Sequence, residues 1–131
     1  MSGTLRTILI VDDDAQTRAY CRTTLEQPGY IVSEASNGKE ALAAIEGTSF
    51  DLIVLDLCMP HMDGFEFLTA VRVPAPNLKI IAISGFMHGT ILAAAELFGA
   101  SATLRKPFSR ESLLSAVAGL LARNGPLWAS V

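Results

Sequence analysis

Short apolar runs alternate with helical segments five times along the chain, and this alternation restricts the fold more than any other sequence feature. Short apolar runs bounded by polar residues are typical of strands buried on both faces. The predicted strands are Ile8–Val11, Tyr30–Val32, Phe50–Asp56, Lys79–Ser84 and Ala102–Lys106. Because strands and helices alternate, the sequence predicts an α/β fold with helices on both faces of a parallel sheet and right-handed crossovers.

Helix boundaries follow from capping residues and from helix breakers. The predicted helices run from Ala15 to Gln27, Asn37 to Glu46, Asp63 to the residue before Pro74, Thr90 to Phe98, and Ser109 to Leu121. In the first helix we expect an inner face made of Ala19, Tyr20, Cys21 and Leu25. The predicted caps of the first, second, third and last helices are Asp14, Asn37, Asp63 and Ser109, and Glu40 occupies the capping-box position of the second helix.

Composition and charge exclude several classes of protein. The chain has 131 residues, of which 50% are hydrophobic and 18% charged, and this suits one globular domain. A net charge of −3 without a basic block argues against direct binding of nucleic acid. The longest apolar stretch, from Leu113 to Ala122, is too short for membrane insertion.

The cysteines and the chain ends lead to expectations about location and domain organisation. Cys21 and Cys58 fit neither a zinc spacing nor a disulfide framework, so we expect reduced thiols in a cytoplasmic protein. The N-terminus lacks the pattern of a signal peptide. We expect one domain over residues 1–123, a short tail over residues 124–131, and no output domain.

Chemically capable side chains stand where four of the five predicted strands end. They are Asp12 and Asp13 after the first strand, Asp56 after the third, Ser84 after the fourth and Lys106 after the fifth. In open parallel sheets the ligand site lies outside the carboxyl ends of the strands. With the strand order 2-1-3-4-5 these residues meet at one edge. Taken singly, each has an ordinary explanation as a cap, a loop acid or a surface charge, but their convergence favours a functional site.

The residue types at this edge suit a cation and a phosphoryl group. Adjacent carboxylates such as Asp12 and Asp13 repel each other unless a cation lies among them, and Mg²⁺ prefers oxygen ligands. The ammonium of Lys106 and the hydroxyl of Ser84 can neutralise and hydrogen-bond phosphoryl oxygens. A carboxylate can itself be the nucleophile. Asp56, which stands apart from the acidic pair, is the candidate acceptor.

These motifs together resemble the receiver domain of response regulators in two-component signalling, close in size to the stand-alone chemotaxis type. The matching segments are Ile8–Asp14, Glu34–Gly38, Asp51–Asp56, Met59-Pro60, Asp63-Gly64, Ser84, Gly99-Ala100 and Lys106–Phe108. The resemblance covers about residues 5–122. It implies the flavodoxin-like (βα)5 fold, a three-layer sandwich.

The resemblance also implies a role for each matched site residue. Asp56 would accept a phosphoryl group from a sensor histidine kinase or a histidine phosphotransfer protein. Asp13, Asp56 and the main-chain carbonyl of Cys58 would bind Mg²⁺, and Asp12 would support the ion through a water. Lys106 would contact the phosphoryl group and Ser84 would move toward it. The bond between Lys106 and Pro107 is expected to be cis.

The implied protein is a phosphorylation-controlled binding module. It would act as a monomer or weak dimer and signal to a downstream target protein by contact or by phosphorelay. Its only chemistry would be Mg²⁺-dependent self-phosphorylation from a phosphodonor and autodephosphorylation. Two alternatives stay open: a pseudo-receiver that binds partners without phosphorylation, and an aspartyl-phosphate phosphohydrolase. The second would need an Asp two residues after Asp56, where this chain has Cys58.

The sequence departs from the family pattern at positions that bear on switching. Thr103 occupies the place of the usual aromatic switch residue, so the output could use the loop Gly85–Gly89, with Phe86 and Met87. Alternatively, Thr103 packs as a strand residue and the output works by motion of the fourth helix. Cys58 lies beside the path of hydrolytic water and should alter the lifetime of the phosphate. Zinc binding by Cys58 and His61 would supply only two protein ligands, which is too few. Trp128 in the tail could dock on the body or contact a partner.

Overall fold

The computed structural model describes residues 5–58, 64–85 and 89–122. Within them, strands and helices alternate along the whole length. The strands are β1 (Thr7–Val11), β2 (Ile31–Ala35), β3 (Leu52–Asp56), β4 (Lys79–Ser84) and β5 (Ala102–Arg105). The helices are α1 (Ala15–Glu26), α2 (Gly38–Gly47), α3 (Gly64–Val71), α4 (Gly89–Leu97) and α5 (Arg110–Leu121).

The strands form one parallel sheet in the order β2-β1-β3-β4-β5, which confirms the predicted fold and strand order. The three inner strands are buried almost throughout, whereas β2 and β5 at the edges are partly exposed. The inner strands are therefore continuous apolar runs, because both of their faces are covered. Register places Ile10 opposite Val54 and Asp56 opposite Ile83.

Two hydrophobic cores lie on opposite faces of the sheet. Alternate residues of β1 and β3 divide between them, since neighbouring side chains on a strand point to opposite faces. One core joins Leu9 and Ile53 to residues of α2, α3 and α4, including Phe67. The other joins Ile8 and Val54 to residues of α1 and α5. This arrangement is the predicted three-layer sandwich.

Two strand boundaries differ from the prediction by more than one residue. β2 extends to Ala35, beyond the predicted end at Val32, because an edge strand tolerates polar residues on its open face. β3 begins at Leu52 rather than at Phe50. The preceding residue, Asp51, uses its carboxylate to accept a hydrogen bond of 2.8 Å from the N–H of Thr7. Apolar character alone therefore misplaced both boundaries.

The caps of the helices are partly as predicted. Asn37 caps α2 by accepting a hydrogen bond of 2.8 Å from the N–H of Glu40. The predicted reciprocal bond is wrong, because the Glu40 carboxylate accepts from the N–H and the hydroxyl of Ser36 instead, each at 2.8 Å. Ser109 caps α5, as expected. The predicted cap Asp63 lies outside the described residues.

The inner face of α1 was only partly predicted. Cys21 and Leu25 are buried and Tyr20 is partly buried, but Ala19 is exposed. Thr24, next to Leu25, is buried instead, with only 1% of its surface exposed. Among the described residues, no helix has the length and the hydropathy that crossing a bilayer requires.

Candidate functional site

Backbone hydrogen bonds continue past the strand ends and hold the predicted site residues together. The N–H of Asp12, just after β1, donates to the carbonyl of Ala35 at 3.1 Å. The N–H of Leu57, just after Asp56, donates to the carbonyl of Ile83 at 2.9 Å. The N–H of Lys106 donates to the carbonyl of Ser84 at 2.8 Å. The sheet order therefore carries these residues to one edge, as the sequence predicted.

Three carboxylates converge at this edge. Asp12, Asp13 and Asp56 each offer an oxygen, and these oxygens lie within 4.8 Å of one another. Asp12 and Asp56 are 0% and 3% exposed, whereas Asp13 is open to solvent. A small hard cation could thus enter from the solvent on the side of Asp13 and would be held by the buried carboxylates of Asp12 and Asp56. The all-oxygen donor set fits Mg²⁺, which prefers carboxylates and retains several waters.

Asp12 is fixed in position by four separate interactions. One carboxylate oxygen accepts a hydrogen bond of 2.9 Å from the N–H of Asp14. The other lies 2.9 Å from the Nζ of Lys106. The main-chain carbonyl accepts a hydrogen bond of 2.7 Å from the guanidinium of Arg18, and the N–H is bound to β2 as described above. The Asp12–Asp13 peptide consequently has little freedom to turn.

Asp14 belongs to the helix rather than to the acidic site. Its carboxylate accepts hydrogen bonds from the N–H of Gln16 at 3.2 Å and from the hydroxyl of Thr17 at 2.7 Å. The bond from Thr17 and the bond from Gln16 lower the pKa of Asp14. This confirms that Asp14 starts α1 as an N-cap.

Lys106 is the cationic side chain placed at the carboxylates. Its Nζ lies 2.9 Å from Asp12 and 3.7 Å from Asp56. Burial alone would lower the pKa of Lys106, but the hydrogen bond to Asp12 and the charge of Asp56 outweigh it and raise the pKa. The side chain therefore stays an ammonium and can bind anionic oxygens at this edge.

Asp56 is an acid whose ionisation is disfavoured by its surroundings. Burial, and then the negative charge of Asp12, raise the pKa of Asp56 to about 6. The hydrogen bond of 3.2 Å from the N–H of Cys58 and the charge of Lys106 lower the pKa and only partly offset this. Additional positive charge at this edge would favour the ionised carboxylate, and a divalent cation would supply it.

Ser84 and Cys58 complete the predicted set. Ser84 is fully buried at the end of β4, one residue beyond the register partner of Asp56. Cys58 is exposed and follows Asp56 by two residues. Coordination of a cation by the Cys58 carbonyl stays a prediction. The peptide bond between Lys106 and Pro107 is cis, as predicted.

Other residues named from the sequence do not join the site or cannot be placed. Thr103 lies within β5 opposite Ala82 and is partly buried, so it packs as a strand residue. Cys21 is buried in the core beneath α1, and burial followed by the charge of Asp12 raises the pKa of its thiol to about 12. His61, Phe86, Met87 and Trp128 lie outside the described residues.

The sequence interpretation missed two side chains that make contacts around the site. Arg18 contacts the Asp12 carbonyl and pairs with Glu34 on β2. Tyr20 donates a hydrogen bond of 3.2 Å to the carbonyl of Phe108, just after Lys106 and Pro107. The spacing of Arg18 and Arg22, four residues apart on one helix face, hinted at a shared acidic partner but did not point to the Asp12 carbonyl.

Comparisons with known proteins agree with this geometry. A family model described as the response regulator receiver domain matches residues 8–118. The chain is 37% identical over 119 residues to the response regulator MprA of Mycolicibacterium vanbaalenii, an alignment that covers 91% of this chain and 52% of that protein. The chain thus spans about half the length of the curated relatives that it matches.

Solved structures with this fold include two that are similar over nearly their full length. The chemotaxis protein CheY4 of Vibrio cholerae has a TM-score of 0.84 and 34% identity, covering 89% of this chain and 99% of that one. A putative response regulator from Chloroflexus aurantiacus has a TM-score of 0.87 and 31% identity, covering 92% and 100%.

Proposed function

We propose that Asp56 accepts a phosphoryl group and thereby controls binding of a partner, because this chain belongs to the response regulator receiver domain family of two-component signalling. One observation carries the proposal. An oxygen of the buried Asp56 carboxylate lies within 4.8 Å of carboxylate oxygens of Asp12 and Asp13, so that one cation could bind all three. The same carboxylate lies 3.7 Å from the Lys106 ammonium. A nucleophile, a cation site and an anion-binding group therefore share one edge of the sheet.

The chemistry assigns each side chain a task. Asp12, Asp13, Asp56 and the carbonyl of Cys58 would hold Mg²⁺, with Asp12 acting through a water. When bound, the ion supplies positive charge that offsets the repulsion between the nucleophile and the phosphoryl oxygens. The Asp56 carboxylate oxygen forms the new bond to phosphorus as the bond to the donor breaks. The proposed donor is a phosphohistidine of a histidine kinase or a phosphotransfer protein.

Lys106 and Ser84 are the side chains that would contact the phosphoryl group on Asp56. Lys106 needs only a small movement from Asp12 to contact a phosphoryl group on Asp56, since it already lies near both. The Ser84 hydroxyl would donate to a second phosphoryl oxygen. The phosphorylated protein would then favour the conformation in which Ser84 and the segment after β4 turn toward Asp56.

The signal would leave the receiver through altered contacts with a target protein or by onward transfer of the phosphoryl group. The unit responsible is residues 1–123, for which the match over residues 8–118 is the support. Because Thr103 supplies no aromatic ring to move, the proposed route runs through Ser84 and the segment that follows it. A cytoplasmic location is part of the same proposal, since a receiver must meet its kinase there.

Incubation with acetyl phosphate and MgCl₂ tests the function. We expect the intact mass to increase by one phosphoryl group, only when Mg²⁺ is present, and Asp56→Asn to abolish the increase. Asp51→Asn is a matched control, because Asp51 immediately precedes the same strand but bonds to Thr7 at the opposite edge. No modification of the wild type would favour the pseudo-receiver, and sustained turnover of an unrelated phosphate ester would favour the phosphohydrolase.

A further inference from the structure

A guanidinium on α1 is attached to the main chain of the acidic pair. The NH1 of Arg18 donates a hydrogen bond of 2.7 Å to the carbonyl of Asp12, while its Nε donates at 2.9 Å to the carboxylate of Glu34. Only 18% of the Arg18 side chain is exposed. Arg18 thus joins the loop that follows β1 to the edge strand β2, and it uses two separate prongs of a rigid planar group to do so.

The carbonyl that Arg18 holds determines where a metal ligand points. The Asp12 carbonyl and the Asp13 N–H belong to the same planar peptide, so fixing one fixes the other. Asp13 is the exposed member of the three carboxylates, and its carboxylate bonds to no other group in the described part of the chain. The orientation of its backbone therefore sets where its Cβ stands, and thus whether its carboxylate can reach those of Asp12 and Asp56.

Glu34 holds Arg18 from the other side. One carboxylate oxygen accepts from Arg18 and the other accepts from Arg22 at 2.9 Å. Glu34 lies opposite Ile10 in the register of the sheet, directly beside the strand that leads to the acidic pair. Because Glu34 belongs to β2, its carboxylate anchors the Arg18 guanidinium to the sheet.

We propose that Arg18, held by Glu34, is a positioning residue for the cation site: it orients the Asp12–Asp13 peptide so that the Asp13 carboxylate meets those of Asp12 and Asp56. The inference rests on the proposed Mg²⁺ site. Residues that orient metal ligands without touching the ion commonly control affinity by about tenfold or more. Arg18 would therefore strengthen Mg²⁺ binding although it carries a positive charge.

The direction in which Mg²⁺ affinity changes when Arg18 is removed separates a positioning role from a simple charge effect. Removing a cation near a metal site lowers repulsion and, by Coulomb's law alone, strengthens Mg²⁺ binding. Loss of the positioning bond weakens it. Arg22 supplies a matched control, because it shares Glu34 and also donates to a carbonyl, but that carbonyl belongs to Val32 within β2.

The test is the Kd for Mg²⁺, measured by titrating MgCl₂ into ¹⁵N-labelled protein and following amide chemical shifts. We expect Arg18→Met to raise the Kd about tenfold and Arg22→Met to leave it unchanged. Arg18→Lys should not restore the wild-type Kd, since one ammonium cannot reproduce the two-pronged geometry. Urea unfolding without Mg²⁺ should show comparable losses of stability for Arg18→Met and Arg22→Met.

The outcomes distinguish the inference from the function on which it rests. A Kd for Arg18→Met that is unchanged or lower, with the wild type binding Mg²⁺, overturns the positioning role alone. Equal weakening by Arg18→Met and Arg22→Met also overturns it, because the effect would then follow stability. Wild-type protein that binds no Mg²⁺ overturns the proposed metal site and this inference together.

Discussion

The Nζ of Lys106 lies 2.9 Å from the buried carboxylate of Asp12, although β3 and β4 separate the strands that these residues follow. The long side chain of Lys106 spans the ends of both intervening strands. The carboxylate of Asp56, at the end of β3, lies 3.7 Å from the same Nζ. The ion pair therefore neutralises part of the acidic charge and marks where an anionic group on Asp56 would be bound.

Replacing Lys106 by Met should destabilise the cation-free protein. The substitution leaves Asp12 buried without its cationic partner, and the cost of an uncompensated buried charge is large. Because 23% of the Lys106 side chain is exposed, we expect a loss of about 1–2 kcal/mol in the free energy of unfolding. Urea denaturation without divalent cations measures the loss. Lys39→Met, on the exposed face of α2, should show no comparable effect.

Asp56→Asn should stabilise the cation-free protein at neutral pH. The folded-state pKa of about 6 lies above the usual value of 3.8, so the folded protein keeps a proton that the unfolded chain has already lost. Stability contributed by the protonated carboxyl is therefore lost as the pH rises between these two values. Above this window the variant should be more stable than wild type by about 1–2 kcal/mol, a value reduced for solvent screening.

Below the window the difference between Asp56→Asn and wild type should disappear, because both proteins then carry a neutral side chain at this position. Thermal unfolding over a series of pH values measures the difference. Added Mg²⁺ should raise the Tm of the wild type more than that of the variant. A stability difference between Asp56→Asn and wild type that stayed constant at every pH would show that it does not come from the ionisation of Asp56.

Gly64→Ala should displace the backbone next to Asp56. A Cβ at this position would lie 2.5 Å from the Cα of Leu57 and 3.1 Å from the carbonyl oxygen of Asp56, so the backbone that carries the acceptor must shift. We expect a loss of about 1–3 kcal/mol in unfolding free energy and slower phosphorylation by acetyl phosphate. Gly119→Ala, in open space within α5, should instead increase stability by about 0.5–1 kcal/mol.

The two cysteines should differ in reactivity toward a thiol reagent. Cys58 is exposed, whereas Cys21 is buried beneath α1 and has a thiol pKa raised to about 12. Since the thiolate is the reactive form, the native protein should label at Cys58 and only the unfolded protein at both. Peptide mapping after labelling identifies the site. Rapid labelling of Cys21 in the native state would contradict the packing of α1.

The sequence was sufficient for the fold and for the gathering of the site residues. The continuous apolar runs of β1, β3 and β4 and the polar residues that follow them required only the rule for parallel sheets. The single residue Asp14 was also placed correctly as a helix cap. These features depend on local patterns, which a sequence displays directly.

Features that depend on tertiary contacts were not predictable in the same way. The burial of Thr24, the exposure of Ala19 and the extension of β2 to Ala35 reflect which face each element turns to its neighbours. The contact of Arg18 with the Asp12 carbonyl depends on the approach of α1 to β2, which helix periodicity does not specify. The spacing of Arg18 and Arg22 hinted at a shared partner but could not identify Glu34.

The central claim is that Asp56 accepts the phosphoryl group while Asp12 and Asp13 serve the cation. The most direct measurement treats the phosphorylated protein with borohydride, which reduces an acyl phosphate to an alcohol, and then locates the reduced residue by peptide mass spectrometry. We predict reduction at Asp56 alone, dependent on Mg²⁺ during phosphorylation. Reduction at Asp12 or Asp13 in the wild-type protein, or at no residue, would contradict the account.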